Sequence, residues 1–139
     1  MWSFMDKFEV KGRICRKHNC HYCCEETEML LTKTDTFRIS KFVGIHPSDF
    51  SFLTKDNYRM LRNKEVNGEK RCFFLDSNGL CTIYDNRPEG CTYYPIIWDM
   101  TNHQAFSDDY CPFHKEFVSE IDRIKSNLEL FVLKLFGYL

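Results

Sequence analysis

Apolar residues recur at helical spacing over the last part of the chain. Between Pro112 and Phe136 the apolar positions are three or four residues apart, the spacing of one face of an α-helix. These positions are Phe113, Phe117, Ile121, Ile124, Leu128, Phe131 and Leu135. The pattern predicts an amphipathic C-terminal helix over about residues 112–136. We expect its apolar face to pack on a core, and the alternative is a docking face for a protein partner.

Shorter helices are predicted in the first half of the chain. Residues 25–31 could form one or two helical turns. Thr34 and Asp35 are candidate N-caps for a helix that ends at Gly44, because hydroxyl and carboxylate side chains cap helices and glycine terminates them. Pro47 suits the first turn of the next short helix.

The pattern changes after Arg71. Residues 72–75 and 80–84 predict two strands, joined by a turn at residues 76–79, which carry the sequence Asp-Ser-Asn-Gly. This segment therefore predicts a β-hairpin.

Proline positions organise the next segment. Pro88 suits the first turn of a helix that carries Cys91. Residues 95–98 predict a further strand, and residues 102–109 a polar loop. Together these elements predict an α+β fold of short helices and a small antiparallel sheet, in one domain over residues 1–139. Its cysteine-bearing part would span about residues 15–112.

Composition and charge restrict the function classes. The chain has 139 residues and a formal net charge of -1, so no strong field draws it to nucleic acid or to an anionic membrane. The N-terminus shows no secretory signal, and no apolar run reaches the ~20 residues of a membrane span. We therefore expect a cytoplasmic protein with neither a membrane nor a nucleic-acid partner.

Eight cysteines are the main chemical signal of the chain. They form two blocks: Cys15, Cys20, Cys23 and Cys24, then Cys72, Cys81, Cys91 and Cys111. Thiolate is the ligand that zinc and iron–sulfur clusters prefer. A disulfide framework is the alternative, and a reducing cytoplasm argues against it. The sequence therefore predicts a zinc or iron–sulfur site, and thirteen Phe and seven Tyr could shield a cluster from water.

The spacing within the first block suggests shared sites. Cys20 and Cys23 form a C-x-x-C pair, which can present two thiolates to one metal. Cys23 and Cys24 are adjacent, and adjacent side chains point in different directions. We therefore expect ligands from both blocks to share metal centres, which would cross-link distant segments of the chain.

The second block agrees with this expectation. Cys72 and Cys81 flank the predicted turn, and the amides at a helix N-terminus would stabilise a thiolate at Cys91. Three histidines lie close to cysteines and could replace a thiol at a zinc site, although surface or supporting roles are the simpler interpretation. They are His18, His21 and His114.

A short basic run surrounds Cys15. It consists of Lys11, Arg13, Arg16 and Lys17. These side chains could contact RNA, as in zinc knuckles. They could instead offset the negative charge of several thiolates on one divalent metal, which we favour for a nearly neutral chain.

Several motifs together resemble a known family. A knuckle that ends in Cys-x-x-Cys-Cys precedes Asp35-Thr-Phe-Arg-Ile, then Cys72-Phe-Phe-Leu, then Cys81-Thr-Ile-Tyr-Asp-Asn-Arg-Pro-x-x-Cys-x-x-Tyr-Pro, and finally Cys111-Pro. This arrangement resembles the CxxCxxCC family of zinc- or iron-chelating cysteine-rich domains. The resemblance implies metal chelation by the eight cysteines. Beside them, Tyr84 could cover a cluster, and Arg87 could offset thiolate charge or bind a carbonyl of the knuckle.

The chain also departs from the family pattern. Four residues separate Cys15 from Cys20, which makes Cys15 a weaker candidate ligand, and Thr92 stands where many members carry arginine. Because a larger relative, a flagellin lysine methyltransferase, carries a similar domain, a cluster-dependent methyl or electron transferase is one alternative function. A zinc-knuckle adaptor for RNA or protein is another.

Overall fold

The computed structural model describes residues 28–137. They group into two compact units, residues 28–88 and residues 89–137. Helices and small antiparallel sheets occur in both units, so the predicted α+β class is confirmed. The expectation of a single domain stays a prediction.

The first unit contains two helices, α1 (Lys33–Val43) and α2 (Pro47–Phe50). Helix α1 begins with a capping box, in which the Asp35 amide donates to Thr32 Oγ1 (2.9 Å) and the Thr32 amide donates to Asp35 Oδ2 (3.0 Å). The N-cap is therefore Thr32, and the prediction of Thr34 or Asp35 as N-cap was wrong. Helix α1 ends as predicted at Gly44, whose φ of 73° few other residues adopt.

Five short strands accompany these helices: β1 (Leu30–Leu31), β2 (Ser51–Leu53), β3 (Arg59–Leu61), β4 (Asn63–Val66) and β5 (Glu69–Cys72). Strand β3 lies between β1 and β2, antiparallel to both. Residues 30–31 are thus a strand and not the helical turn expected there. Strands β4 and β5 form a separate hairpin, whose turn places Asn67 and Gly68 at positive φ.

The predicted hairpin around residues 76–79 is only partly present. Its turn is confirmed, because Asp76 Oδ1 accepts the amides of Asn78 and Leu80, each at 2.9 Å. The flanking strands, however, are reduced to a single bridge between Leu75 and Cys81. A 3-10 helix (Tyr84–Asn86) follows where the second strand was expected to end.

One apolar core holds the first unit together. Side chains from β1, α1, α2, β3 and the residues after β5 form it. Its buried members are Leu31, Ile39, Phe50, Leu61, Cys72, Phe74, Leu75 and Ile83. Two candidate ligands therefore lie in or beside this core, since Cys81 packs against it.

The second unit begins with helix α3 (Glu89–Tyr93), directly after Pro88 as predicted. Strands β6 (Ile96–Asp99) and β7 (Gln104–Ser107) then form an antiparallel hairpin. Strand β6 agrees with the prediction for residues 95–98. The polar loop predicted for residues 102–109 was wrong, since strand β7 occupies part of it.

The C-terminal segment is helical over most of the predicted range. It consists of a 3-10 helix (His114–Glu120) followed by helix α4 (Ile121–Leu135). The predicted apolar face is confirmed, and it forms the core of the second unit. The buried residues of this core are Tyr93, Ile96, Cys111, Phe117, Ile124, Leu128 and Phe131. No helix within residues 28–137 is both long enough and apolar enough to cross a membrane.

Candidate metal-binding residues

The structure describes half of the predicted ligand set. The first block, which consists of Cys15, Cys20, Cys23 and Cys24, lies outside the described residues, as do His18 and His21. In the second block, Cys72 and Cys81 belong to the first unit, and Cys91 and Cys111 to the second. Each unit therefore offers one described pair of thiols.

Cys72 and Cys81 lie on either side of a compact turn. The Leu75 amide donates to the Cys72 carbonyl oxygen (3.0 Å), and Leu75 is the bridge partner of Cys81. The Asp76 amide donates to the Leu80 carbonyl oxygen (2.8 Å) and closes the turn between them. Cys72 is 7% exposed. The backbone thus places Cys72 before this turn and Cys81 after it. That the two thiols bind one metal stays a prediction.

Cys91 and Cys111 occupy different kinds of backbone in the second unit. Cys91 is the third residue of the five-residue helix α3 and is half-buried. Cys111 ends a turn, because its amide donates to the Asp108 carbonyl oxygen (3.2 Å). At 7% exposure Cys111 belongs to the apolar core of this unit. Water therefore has little access to the Cys111 thiol.

His114 contacts the backbone of Cys111. Its Nδ1 lies 3.0 Å from the Cys111 carbonyl oxygen. Because a carbonyl oxygen only accepts, Nδ1 donates in this bond. This contact places the His114 ring at the Cys111 turn, and its supporting role there stays a prediction.

Arg87 is nearly inaccessible to water, with 4% of its surface exposed. Its Nη1 donates to the Tyr84 carbonyl oxygen (2.6 Å), and its guanidinium lies 4.4 Å from the centroid of the Tyr84 ring. These two residues, predicted to support the ligands, therefore contact each other. Arg87 is a buried cation in the sequence between Cys81 and Cys91.

Arg38 fixes the main chain at this point. Its Nη2 donates to the Arg87 carbonyl oxygen (2.8 Å) and to Asp35 Oδ1 (3.0 Å), and Asp35 is 1% exposed. Helix α1 is thereby tied to the segment that carries Arg87. Sequence reasoning assigned Arg38 no role, although the Asp-x-x-Arg spacing on a helix was visible and is that of an i,i+3 ion pair.

Two contacts in the second unit were also missed. The Tyr94 hydroxyl donates to Asp108 Oδ2 (2.5 Å), and Lys134 Nζ lies 3.5 Å from Glu89 Oε2. Tyr94 follows Cys91 by three residues, and Asp108 precedes Cys111 by three.

The described donors suit a soft or borderline metal. Thiols are the ligands that zinc and iron–sulfur clusters favour. Cys72, Cys81 and Cys111 lie beside backbone turns, whereas Cys91 lies in helix α3. Within residues 28–137 no group of three or more His, Cys, Asp or Glu side chains is arranged to hold a metal ion. The two described pairs therefore fit as parts of a ligand set, each incomplete without further donors.

The chain also matches a protein-family model. The model of the CxxCxxCC family, described as a "putative zinc- or iron-chelating domain", matches residues 14–112. This region is more than half of the chain and contains all eight cysteines. Comparisons with curated proteins and with solved structures give no significant match. The resemblance found in the sequence is thus confirmed, and it ends before helix α4.

Proposed function

Since the chain belongs to the CxxCxxCC family of zinc- or iron-chelating domains, we propose that its cysteine thiolates bind zinc or an iron–sulfur cluster and thereby stabilise the fold. Cys72, Cys81, Cys91 and Cys111 are the described ligands of this proposal. Cys20, Cys23 and Cys24 complete the ligand set, and Cys15 contributes least.

The placement of the described cysteines carries the proposal. Cys72 and Cys81 flank one turn, and Cys111 lies in an apolar core. Apolar surroundings also protect thiolate–metal bonds from water and oxidants.

The negative charge of the proposed metal site also has a candidate cation to offset it. Four thiolates on one divalent metal carry a formal charge of minus two, and a nearby cation offsets it. Arg87 is a buried cation held against Tyr84, and it is the cation that we assign to this role. Arg38 holds the backbone at Arg87 and so fixes where that charge lies.

The direct test is purification without oxygen, followed by metal analysis and an absorption spectrum. Bound iron with sulfide and a coloured protein would identify a cluster, and a colourless protein with bound zinc would identify a zinc site. A folded, fully reduced wild-type protein without metal would overturn the proposal.

Variants locate the metal within the chain. Cys72→Ser and Cys81→Ser should each lower the metal bound per chain, because serine is a poor ligand for soft metals. His103→Ala is the matched control. His103 is exposed in the turn between β6 and β7, and the nearest cysteine in the sequence is eight residues away, so its loss should leave the bound metal unchanged. Unchanged metal in both cysteine variants would remove this pair from the ligand set.

A further inference from the structure

Tyr94 and Asp108 connect the two cysteine-bearing segments of the second unit. Helix α3 carries Cys91 and ends at Tyr93, and the Tyr94 amide still donates to the Gly90 carbonyl oxygen (3.0 Å). Helical geometry thus extends to Tyr94, and residues three apart on a helix share a face. The side chain of Tyr94 therefore leaves the helix on the same side as that of Cys91.

Both carboxylate oxygens of Asp108 accept hydrogen bonds at the start of the Cys111 turn. Its Oδ2 accepts the Tyr94 hydroxyl (2.5 Å), and its Oδ1 accepts the Tyr110 amide (3.1 Å). The backbone of Asp108 contributes two more bonds. Its amide donates to the Pro95 carbonyl oxygen (2.7 Å), and its carbonyl oxygen accepts the Cys111 amide (3.2 Å).

The far side of the Cys111 turn is fixed as well. The His114 amide donates to the Cys111 carbonyl oxygen (3.1 Å), and the Ser107 hydroxyl donates to the His114 carbonyl oxygen (2.7 Å). Cys111 therefore lies in a turn held at both ends. The Tyr94–Asp108 hydrogen bond is a side-chain link from this turn to the segment of Cys91.

We infer that Tyr94 and Asp108 are positioning residues that hold Cys91 and Cys111 at the separation needed to bind one metal centre together. This inference rests on the proposed function. A hydrogen bond from a phenol to a carboxylate is charge-assisted and short. It orders both thiols before the metal arrives, so less conformational entropy is lost on binding. Removing such a supporting partner typically weakens metal binding about 10–100-fold.

The test is a double-mutant cycle on metal release. Tyr94→Phe removes only the hydroxyl, Asp108→Ala removes the carboxylate, and the double variant removes both. The rate at which the bound metal passes to an excess of a colorimetric chelator is measured for each protein. Asp109→Ala is the matched control, because Asp109 is the exposed neighbour of Asp108 in the same turn.

Each single variant should release its metal about 10-fold faster than wild type. The double variant should be no faster than the faster single variant, because both changes break the same bond. Asp109→Ala should release metal at the wild-type rate. The melting temperature of the metal-free proteins is measured in parallel, since a purely structural role would lower it without changing the release rate.

Two results would overturn the inference alone. One is a wild-type release rate in Tyr94→Phe, whatever its melting temperature, and the other is a double variant whose effect is the product of the two single effects. A wild-type protein that binds no metal would instead overturn the proposed function, and this inference with it. The two failures are therefore distinguishable.

Discussion

Single aspartates shape the turns of this protein. In each case a carboxylate oxygen accepts backbone amides two to four residues further along the chain, which is the geometry of an Asx turn. The residues that do so are Asp76, Asp99 and Asp108. Two of these turns end next to a candidate ligand, Cys81 or Cys111. At the residue scale, short side chains thus set the backbone around the thiols.

The turn at Asp99 predicts a pH dependence. The pKa of Asp99 lies below its ordinary value of 3.8. The main cause is a hydrogen bond from the Asn102 side chain, and the second cause is a hydrogen bond from the Asn102 backbone amide. A carboxyl whose pKa is lower in the folded protein stabilises the fold above its unfolded-state pKa. That stabilisation is lost as pH falls through the folded-state pKa.

Asn102→Ala should therefore raise the pKa of Asp99 towards its ordinary value, measured by NMR titration of its carboxyl carbon. The variant should melt below wild type at neutral pH, and the two melting temperatures should converge once the carboxyl is protonated. A melting-temperature gap that stays constant into acid would show that Asn102 stabilises the turn independently of the Asp99 charge.

Sequence reasoning named the thiols as candidate ligands but not the residues inferred to position them. Cysteine type and spacing favour metal chemistry, so Cys72, Cys81, Cys91 and Cys111 were visible as candidates. Tyr94 and Asp108 are fourteen residues apart, and their contact depends on the hairpin of β6 and β7 that lies between them. Predicting that contact required strand β7, which the sequence analysis had assigned to a loop.

At the element scale, the helices that the sequence predicted correctly were long or had a residue that marks their end. Helix α4 showed a long apolar periodicity, and Gly44 marked the end of α1. Strands of two to four residues are too short to show alternation. One missed hairpin did carry a signal, because Asn67-Gly68 is a dipeptide that favours a tight turn between strands. The pairing of β4 and β5 around it was therefore predictable.

Helix α4 also supports the helix that carries Cys91. The Tyr93 and Phe131 rings pack with their centroids 5.8 Å apart. Lys134 Nζ lies 3.5 Å from Glu89 Oε2, with side-chain exposures of 42% and 12%. The largely buried carboxylate at the start of α3 thus has a cation from α4 beside it. Residues beyond the family match consequently contribute to the surroundings of a candidate ligand.

Lys134→Met should lower the free energy of unfolding by about 1 kcal/mol, because a mostly buried carboxylate loses a countercharge while the apolar stem is retained. Urea denaturation measures this change. Lys125→Met is the control on the same helix, because Lys125 pairs with Asp122 at 3.4 Å but both side chains are well exposed. It should change stability by less than about 0.5 kcal/mol. Equal losses of stability in both variants would contradict the argument that burial of the Glu89 carboxylate makes its ion pair with Lys134 the stronger of the two.

At the scale of the whole molecule, each unit has its own small core. Cores of this size rarely supply more than about 3–5 kcal/mol of stability, and small domains often add metals or disulfides. Cysteines from distant segments can contribute in this way, because metal binding and folding then share one free energy. On the proposed function, the metal would be a structural component, and its loss should affect the folded state as a whole.

Cysteine substitutions test this coupling. Cys23→Ser and Cys91→Ser should each lose bound metal and lower the melting temperature by roughly 10 °C, since an absent ligand withdraws the stabilisation that binding gives the native state. Cys15→Ser should lose less of both, because its spacing departs from the family. Melting temperature and metal per chain are measured for the three variants and for wild type.

The decisive comparison repeats these melts after a chelator has removed all metal. If Cys91 stabilises the fold through the metal, stripped wild type and stripped Cys91→Ser should melt together, because neither then has a ligand to bind. A gap that persists without metal would show that Cys91 acts by packing. Losses in Cys15→Ser as large as in the other two variants would make Cys15 a full ligand. If bound metal per chain and melting temperature are unchanged in all three variants, these cysteines do not stabilise the fold by binding metal.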